Sequence, residues 1–321
     1  MPARDSDRDH LLLRVCQLHF EQQLTQQEVG ERLHLTRWQV GRLLKEALAK
    51  GIVRIEIVHP QARSHTLETD LVERTGLREA IVVPSDTDPA ATRQAVAQAA
   101  ADYLADLTTK PRTLAVSWGQ TMSELARAIA PSWADGVTVV QANGGLSRPG
   151  PGDPAAIITT LARQARGSTL FLPAPAVVES PELAAALLRE PSIAEVTGVA
   201  READVLLFSL GAVTQESVLV QSGCLTPADV THLLAEGAVG DAVGRFIGAD
   251  GTIVCPHIDA RSVGLQLADV AAARLAIAVA AGSAKHAVAE ACVRRGLCHV
   301  LVTDEDTAVE LGRRFIAAPI S

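Results

Sequence analysis

Side chains suited to ligand recognition occur in two parts of this sequence. Near the N-terminus, Arg37, Gln39, Arg42 and Lys45 occur close together. Arginine can hydrogen-bond guanine, glutamine can hydrogen-bond adenine, and lysine and arginine both bind phosphate. In the longer C-terminal part, short turns rich in glycine follow apolar runs, and such turns can present backbone N–H groups to an anion. The sequence shows no HExxH spacing and no GxSxG elbow, so no metal or hydrolase motif is indicated.

The N-terminal basic residues lie on a predicted helix-turn-helix over residues 24–51. Thr25-Gln-Gln-Glu28 and Thr36-Arg-Trp-Gln39 each fit a capping box, which marks the start of a helix. After the second box, Val40, Leu43 and Leu44 recur at helical spacing and leave a basic face on the opposite side. This arrangement suits a recognition helix in the DNA major groove. An ordinary helical hairpin with a solvated basic face is the alternative.

The charge of this region supports the DNA-binding interpretation. Six cations and one acid, Glu46, lie between Arg32 and Arg54, although the whole chain has a net charge of −8. A local basic patch is the electrostatic footprint of DNA recognition. The following residues, 52–58, alternate in polarity and are predicted to form the strand of a wing. The predicted DNA-binding residues are Gln26, Thr36, Arg37, Trp38, Gln39, Arg42 and Lys45.

The rest of the chain alternates strand and helix signals, which predicts an α/β fold with a parallel sheet covered on both faces. We assign residues 1–58 to the helix-turn-helix domain, 59–66 to a linker and 67–321 to a larger α/β domain. The low aromatic content, 3%, indicates an aliphatic core. The predicted strands are 80–83, 113–117, 137–141, 169–172, 205–209, 252–255, 276–280 and 300–302.

Several turns of the larger domain could form a binding site. Ser117-Trp-Gly-Gln-Thr121 and Gln141-Ala-Asn-Gly-Gly145 each follow a predicted strand. Open α/β sheets bind ligands at the carboxyl ends of their strands. A third turn places Lys285 in the first turn of a helix, where a cation is unfavourable unless an anion lies nearby. Neither of the first two turns matches a nucleotide-binding motif, and each could also be only a tight turn.

Composition excludes several classes of protein. The five cysteines show no CxxC spacing, which argues against a disulfide framework or a zinc site. No apolar run approaches the roughly 20 residues of a membrane span, and the charged N-terminus does not resemble a signal peptide. We therefore expect a soluble, cytoplasmic protein with reduced thiols, with no cofactor, no metal and no membrane partner.

The whole chain resembles the SorC-type (SorC/DeoR) sugar-responsive transcriptional regulators. The helix-turn-helix resembles theirs through LTQQEVGERLHLTRWQVGRLLKEALAKGIVRIEI. The resemblance continues, in order, through AVSWGQT, VVQANGG, LFSLGA, EGAVGDAVGRFIGADGTIV, AAGSAK and HVLVTDEDTA. It implies a large Rossmann-like α/β effector-binding domain similar to NagB and ribose-5-phosphate isomerase folds. It further implies a homo-oligomer, a dimer or a homotetramer, whose binding to a double-stranded DNA operator responds to a sugar or sugar phosphate.

The resemblance also implies which residues bind the effector. The turn from Ser117 to Thr121 would meet the phosphate or polar end of the effector, and the turn from Asn143 to Arg148 would line a second wall. Asp241 would accept hydrogen bonds from sugar hydroxyls, and Lys285 would supply a cation. Because position 143 holds asparagine rather than lysine, no Schiff base is expected there. The implied effector-binding residues are Ser117, Gly119, Gln120, Thr121, Asn143, Gly144, Gly145, Arg148, Asp241 and Lys285.

Three functions therefore compete. A DNA-binding regulator without catalytic activity agrees best with the basic recognition helix and the glycine-rich turns. A sugar-phosphate isomerase or hydrolase with an added helical module is the alternative, although no general base is evident near the turns. An oligomeric scaffold without a ligand is the third possibility.

Overall fold

The computed structural model describes residues 3–22, 24–50, 52–53, 63–146, 148, 150 and 152–317. Residue contacts divide the chain into two compact units, Met1–His59 and Pro60–Ser321. Each unit has its own apolar core, so we describe them separately.

The N-terminal unit is a bundle of short helices. Helix α1 (Ala3–Cys16) continues into a π-helical turn, Gln17–Glu21, and is followed by α2 (Gln26–Leu33) and α3 (Arg37–Ala49). The helices bury one aliphatic core, because the apolar residues recur at helical spacing. The core side chains include Leu12, Val15, Leu18, Val29, Val40, Leu43, Leu44 and Ala47.

Both predicted capping boxes are present. The Thr25 N–H donates to Glu28 Oε2 at 2.7 Å, and the Glu28 N–H donates to Thr25 Oγ1 at 3.3 Å. Thr36 and Gln39 make the equivalent pair at 2.8 and 3.3 Å. The boxes therefore set the helix starts, as the sequence indicates. Of the predicted wing strand, residues 54–58 lie outside the described residues.

The C-terminal unit alternates strands and helices. Its strands are β1 (Glu79–Val83), β2 (Thr113–Val116), β3 (Thr138–Gln141), β4 (Ser168–Leu170), β5 (Val205–Gly211), β6 (Gly240–Ala242), β7 (Arg245–Ile247), β8 (Ala276–Val279) and β9 (Val300–Asp304). Its helices are α4 (His65–Thr75), α5 (Pro89–Asp106), α6 (Gln120–Ala128), α7 (Pro154–Gln164), α8 (Pro181–Arg189), α9 (Pro191–Arg201), α10 (Val218–Gln221), α11 (Pro227–Ala235), α12 (Pro256–Ala260), α13 (Leu267–Ala271), α14 (His286–Arg294) and α15 (Glu305–Ala317).

The strands form a parallel sheet in the order β1-β9-β8-β5-β2-β3-β4. Successive residues of a strand enter opposite layers: Ala80 and Val82 join one apolar cluster, and Ile81 and Val83 join the other. Helices cover both faces because both faces are apolar. This confirms the predicted α/β class. The short strands β6 and β7 form an antiparallel hairpin on β5.

Two details of the sequence prediction are wrong. Residues 252–255 form no strand, since only Ile253 makes an isolated bridge, to Ile247. The chain leaves the extended conformation at Cys255, whose φ is +55°. Helix α4 begins at His65, inside the segment predicted to be linker.

The five cysteines are buried and form no disulfide within the described residues. Every helix in that part of the chain is too short or too polar to cross a bilayer.

Candidate effector cavity and DNA interface

A cavity of about 530 Å³ opens at the carboxyl edge of the parallel sheet. It lies beside the boundary between the adjacent strands β2 and β5. From β2 the chain continues to β3 on one side of this boundary, and from β5 it continues toward β8 on the other side. Open α/β sheets bind ligands at such a point. Six of the predicted effector-binding residues line this cavity: Ser117, Gly119, Gln120, Thr121, Asp241 and Lys285.

The first wall of the cavity is the turn between β2 and α6. Gly119 precedes the helix with a φ of +137°, and a Cβ at this position would lie 2.8 Å from Ser209 Oγ. Only glycine fits this backbone and this approach. No side chain caps the first turn of α6, so its leading N–H groups are open to a ligand. The helix dipole adds a positive potential there, and the wall can therefore bind an anion.

Asp241 and Lys285 form the charged part of the cavity. The Asp241 carboxylate is 7% exposed and accepts a hydrogen bond from the Gly244 N–H at 2.9 Å. Burial raises the pKa of Asp241, and the Lys285 ammonium and the Gly244 hydrogen bond oppose this rise. Burial lowers the pKa of Lys285, and Asp241 opposes that change. Each group thus stabilises the charged form of the other in a poorly solvated place.

The turn that carries Lys285 is held from the neighbouring strand β9. The Gly282 N–H donates to Asp304 Oδ2 at 2.7 Å. Asp304 also accepts hydrogen bonds from the Thr307 N–H and hydroxyl, at 3.0 and 2.9 Å. Its carboxylate therefore fixes both the turn before α14 and the start of α15. Asp304 and Gly282 both line the cavity, although neither was among the predicted site residues.

Other lining residues were also missed. Ser85 and Asp86 follow β1, and Arg93 lies on α5. Ser209 belongs to β5, and Glu216 lies just before α10. The order of strands in the sheet brings these segments together. The available sequence signal was their position at or just after the carboxyl ends of strands, which could be used only once strand adjacency was known.

The second predicted wall does not reach the cavity. Asn143, Gly144, Gly145 and Arg148 are absent from its lining. Gly144 packs against backbone instead, because a Cβ there would lie 2.3 Å from Pro175 O. The Gly144 carbonyl accepts a hydrogen bond from Trp118 Nε1 at 3.1 Å, and Trp118 does line the cavity. This turn therefore supports the first wall from behind.

Asn143 is 3% exposed, and neither polar atom of its side chain has a partner within the described residues. Arg148 is exposed.

The predicted DNA-binding residues lie mostly on the outer face of α3. Arg37, Trp38, Arg42 and Lys45 are exposed, and Trp38 is 89% exposed. Trp38 thus lies on the same exposed face of α3 as these basic side chains.

Three of the predicted DNA-binding side chains also make contacts within the helical unit: Thr36, Gln39 and Gln26. Gln39 Oε1 accepts the N–H and the hydroxyl of Thr36, which leaves its amide nitrogen to donate. In this rotamer Gln39 cannot read adenine with both amide atoms. Gln26 is half-buried, and its Oε1 lies against Gly41, where a Cβ would approach to 3.3 Å.

The single acid of α3 is neutralised from α1. Arg8 makes a two-pronged ion pair with Glu46, with Nε–Oε1 and Nη2–Oε2 distances of 2.9 and 2.6 Å. Hydrogen bonds from the Arg8 guanidinium lower the pKa of Glu46 to about 2. The basic character of the exposed face is thereby preserved.

Comparison with known families accounts for both units. Residues 59–311 match the family described as "Putative sugar-binding domain", and residues 7–50 match the family described as "Sigma-70, region 4". The first match spans most of the chain. The chain belongs to the SorC-type family of transcriptional regulators. The predicted helix-turn-helix and sugar-binding organisation is confirmed, and the chain is a DNA-binding transcriptional regulator controlled by a sugar effector.

Relatives of this SorC-type regulator extend over nearly its whole length. It is 30% identical over 306 residues to the deoxyribonucleoside regulator of Bacillus subtilis, covering 95% of this chain and 97% of that protein. It is 32% identical over 306 residues to the transcriptional regulator LsrR of Klebsiella pneumoniae, covering 94% and 92%. These relatives are named as transcriptional regulators rather than as enzymes.

Solved structures share the fold of the regulator. A DeoR family transcriptional regulator from Listeria monocytogenes gives a TM-score of 0.71 at 27% identity, covering 77% of this chain and 99% of that chain. The full-length sorbitol operon regulator SorC from Klebsiella pneumoniae gives 0.70 at 22% identity, covering 96% and 99%. The second likeness concerns the fold alone.

A buried arginine organises the effector unit of this SorC-type regulator behind the cavity. Arg245 is 1% exposed and begins β7, three residues after Ala242, at the end of β6. Its guanidinium donates to the Leu265, Asp259, Ser262 and Gly264 carbonyls at 2.8 to 3.3 Å, and to Asp259 Oδ1 at 3.1 Å. It therefore ties the Asp241 hairpin to the loop that pairs with Asn143.

Proposed function

We propose that this regulator responds to a phosphorylated sugar or polyol bound in the cavity at the carboxyl edge of the sheet. The observation that carries the proposal is the uncapped N-terminus of α6, which opens onto the same cavity as the buried Asp241 and the half-buried Lys285. A phosphate needs N–H donors and positive potential, and sugar hydroxyls need a carboxylate acceptor. This cavity offers all of these groups.

Each predicted contact has a distinct role in the proposal. The backbone N–H groups of Gln120 and Thr121 bind the phosphate beside Gly119, and the hydroxyls of Ser117 and Thr121 add donors. Asp241 accepts from sugar hydroxyls through the carboxylate oxygen that Gly244 does not occupy. Lys285 completes the charge of the site. The turn from Asn143 to Gly145 acts indirectly, by holding Trp118 in the wall.

The names of the relatives help to choose candidate effectors. One is a deoxyribonucleoside regulator and another is a sorbitol operon regulator. Pentose, deoxypentose and hexitol phosphates are therefore the first compounds to test against this chain.

The proposed mechanism of control is a population shift in a homo-oligomer, a dimer or a homotetramer. An effector changes DNA affinity only if it binds one quaternary arrangement more tightly than another. Helix α3, with Arg37, Trp38, Arg42 and Lys45 on its exposed face, is the part that contacts the operator.

We propose that the cavity binds its effector without converting it. The carboxylate of Asp304 is engaged by four donors, including the Ser85 hydroxyl, and that of Asp86 accepts the Asp88 N–H at 2.8 Å. Carboxylate oxygens already engaged by such donors have fewer free acceptor positions for a substrate proton. The buried Asp241 interacts with the positive charge of Lys285.

A thermal-shift screen of the full chain against sugar, sugar-phosphate and polyol-phosphate panels tests this function. We expect one phosphorylated compound to raise the unfolding temperature and to change operator affinity, while its unphosphorylated form does neither. NMR of the same mixtures should show no product. Turnover would favour the isomerase alternative, and stabilisation by unphosphorylated sugars alone would contradict the phosphate site.

A further inference from the structure

Arg93 is a cation of the cavity that the resemblance to the family does not point to. It lies on α5 and lines the same cavity as Gln120 and Thr121 at the start of α6. Its Nε donates to Glu124 Oε1 at 2.8 Å, and Glu124 lies four residues after Gln120 on α6. The ion pair thus joins α5 to the helix whose N-terminus forms the anion-binding wall.

The geometry of this pair leaves the guanidinium ready to bind. Glu124 engages Nε, and Nη1 and Nη2 have no partner among the residues that the structure describes. The Arg93 and Glu124 side chains are 31% and 21% exposed, so the pair is neither sealed in the core nor free in solvent. An arginine held at Nε can offer its two terminal nitrogens as a planar fork, which matches two oxygens of a phosphate.

Lys285 is less suited to this role by itself. Its ammonium interacts with Asp241, which is buried, whereas Lys285 itself is half-buried. Part of its charge is therefore already compensated before an effector binds. Arg93 lies on α5, the helix that follows the edge strand β1, and it supplies a second positive charge next to α6.

We infer that Arg93 is the residue that distinguishes phosphorylated from unphosphorylated effectors, by binding the phosphate through Nη1 and Nη2 while Glu124 holds its guanidinium in place. This inference rests on the proposed function. An ordinary ion pair between two helices is the alternative, and it makes different predictions.

Phosphate binding by full-length variants tests the inference, with inorganic phosphate as the probe and ³¹P NMR titration at neutral pH as the measurement. We expect Arg93→Met to weaken phosphate binding by about 10- to 100-fold, because a charged two-pronged contact is lost. The phosphate affinity of Arg93→Lys should lie between those of the unsubstituted protein and Arg93→Met, since lysine keeps the charge but not the planar fork. Arg166→Met is the matched control, because Arg166 is an exposed arginine in an ion pair with Asp135.

Substitutions of Glu124 test the second part of the inference, that this carboxylate holds the Arg93 guanidinium in place. Glu124→Gln keeps an oxygen that accepts from Nε but removes a negative charge near the phosphate. We therefore expect phosphate affinity to rise several-fold, whereas Glu124→Ala, which also frees the guanidinium, should give a smaller gain or a loss. If Glu124→Gln weakens binding, or if Arg93→Met behaves like Arg166→Met, the pair is only structural and the inference is wrong.

The outcome is separable from that of the proposed function. If a sugar phosphate stabilises the unsubstituted protein and Arg93→Met leaves that response unchanged, the function stands and the inference fails. If no phosphorylated compound and no inorganic phosphate binds the unsubstituted protein, both fail.

Discussion

The carboxylate of Asp241 occupies the space that a side chain at position 211 would need: a Cβ on Gly211 would lie 1.7 Å from Asp241 Oδ1. Position 211 ends β5, and position 241 is its partner across the antiparallel pair. The glycine thus permits the buried carboxylate to reach the cavity.

We predict that Gly211→Ala displaces Asp241 and removes the response to effector. Overpacking of this kind typically reduces the free energy of unfolding by about 1–3 kcal/mol. The measurement is the shift in unfolding temperature caused by the effector found in the screen, together with operator affinity, which should be retained.

Gly198→Ala is the matched control for that substitution. Gly198 lies within α9, and apart from its chain neighbours and the backbone of its own helix no atom lies within 4 Å of the Cβ that alanine would add. Alanine is favoured over glycine inside a helix, so this variant should be slightly more stable and keep its effector response. Equal loss of response in both variants would contradict the role given to the Gly211 approach.

Removal of a charge from the recognition helix should affect DNA binding alone. We expect Arg42→Ala to weaken operator binding by about tenfold or more. If Arg42 binds phosphate, the slope of log affinity against log salt concentration should also fall by about the amount of one phosphate contact. Effector-induced thermal stabilisation should be unchanged. Arg166→Ala, in the other unit, should leave operator affinity and its salt slope as they are. Loss of both activities in Arg42→Ala would contradict the division of labour between the units.

Effector affinity should fall at alkaline pH because of Lys285. Burial lowers the pKa of this lysine below its ordinary value of 10.5. The protonated ammonium favours an anionic effector, so affinity is full below the lowered pKa and decreases as the pH rises through it. Calorimetric titration across this range provides the measurement.

Two substitutions at the same position sharpen that prediction. Lys285→Arg should move the loss of affinity to higher pH, because arginine stays protonated. Lys285→Met should bind weakly at every pH and show no such alkaline decrease. An unchanged alkaline decrease in Lys285→Met would assign it to another group.

The buried guanidinium of Arg245 should be essential for stability. Arg245→Met leaves several carbonyls and the Asp259 carboxylate without their donor, and breaking such a buried network costs about 3–5 kcal/mol. Urea unfolding should show this loss. Arg201→Met is the control, since Arg201 is 52% exposed and makes an ion pair with Asp269; it should change stability by less than about 0.5 kcal/mol. A similar effect of both variants would show that burial of Arg245 is not decisive.

Local signals in the sequence were sufficient for the helix starts and for most strands. Thr25 and Thr36 bond to residues only three positions away, so their capping boxes could be predicted without any tertiary information. The continuous apolar runs predicted a parallel sheet for a similar reason, since both faces of each strand must be buried. The false strand at 252–255 had the same apolar signal, but its pairing with β7 is limited to the Ile253–Ile247 bridge, because the chain turns away at Cys255.

The residue pattern alone indicated the site at Ser117 to Thr121, where a turn containing glycine follows a strand along the chain. Asp241 was indicated as a site residue only by the resemblance to the family. Asp86 and Arg93 did not stand out, because their place in the cavity depends on β1 lying next to β9, more than 200 residues later in the chain. Conversely, Gly144 looked like a ligand turn, but its small size serves the approach of Pro175.

The three tryptophans of the chain are natural fluorescence reporters for its separate activities. Trp38 is open to solvent on α3, Trp118 lines the effector cavity, and Trp133 is buried with its Nε1 donating to Leu161 O. Operator DNA should quench the red-shifted emission of Trp38, and an effector should change the emission of Trp118. Single-tryptophan variants would assign each emission signal to its residue, and the unsubstituted chain would then report both binding events without a label, with buried Trp133 as an internal standard.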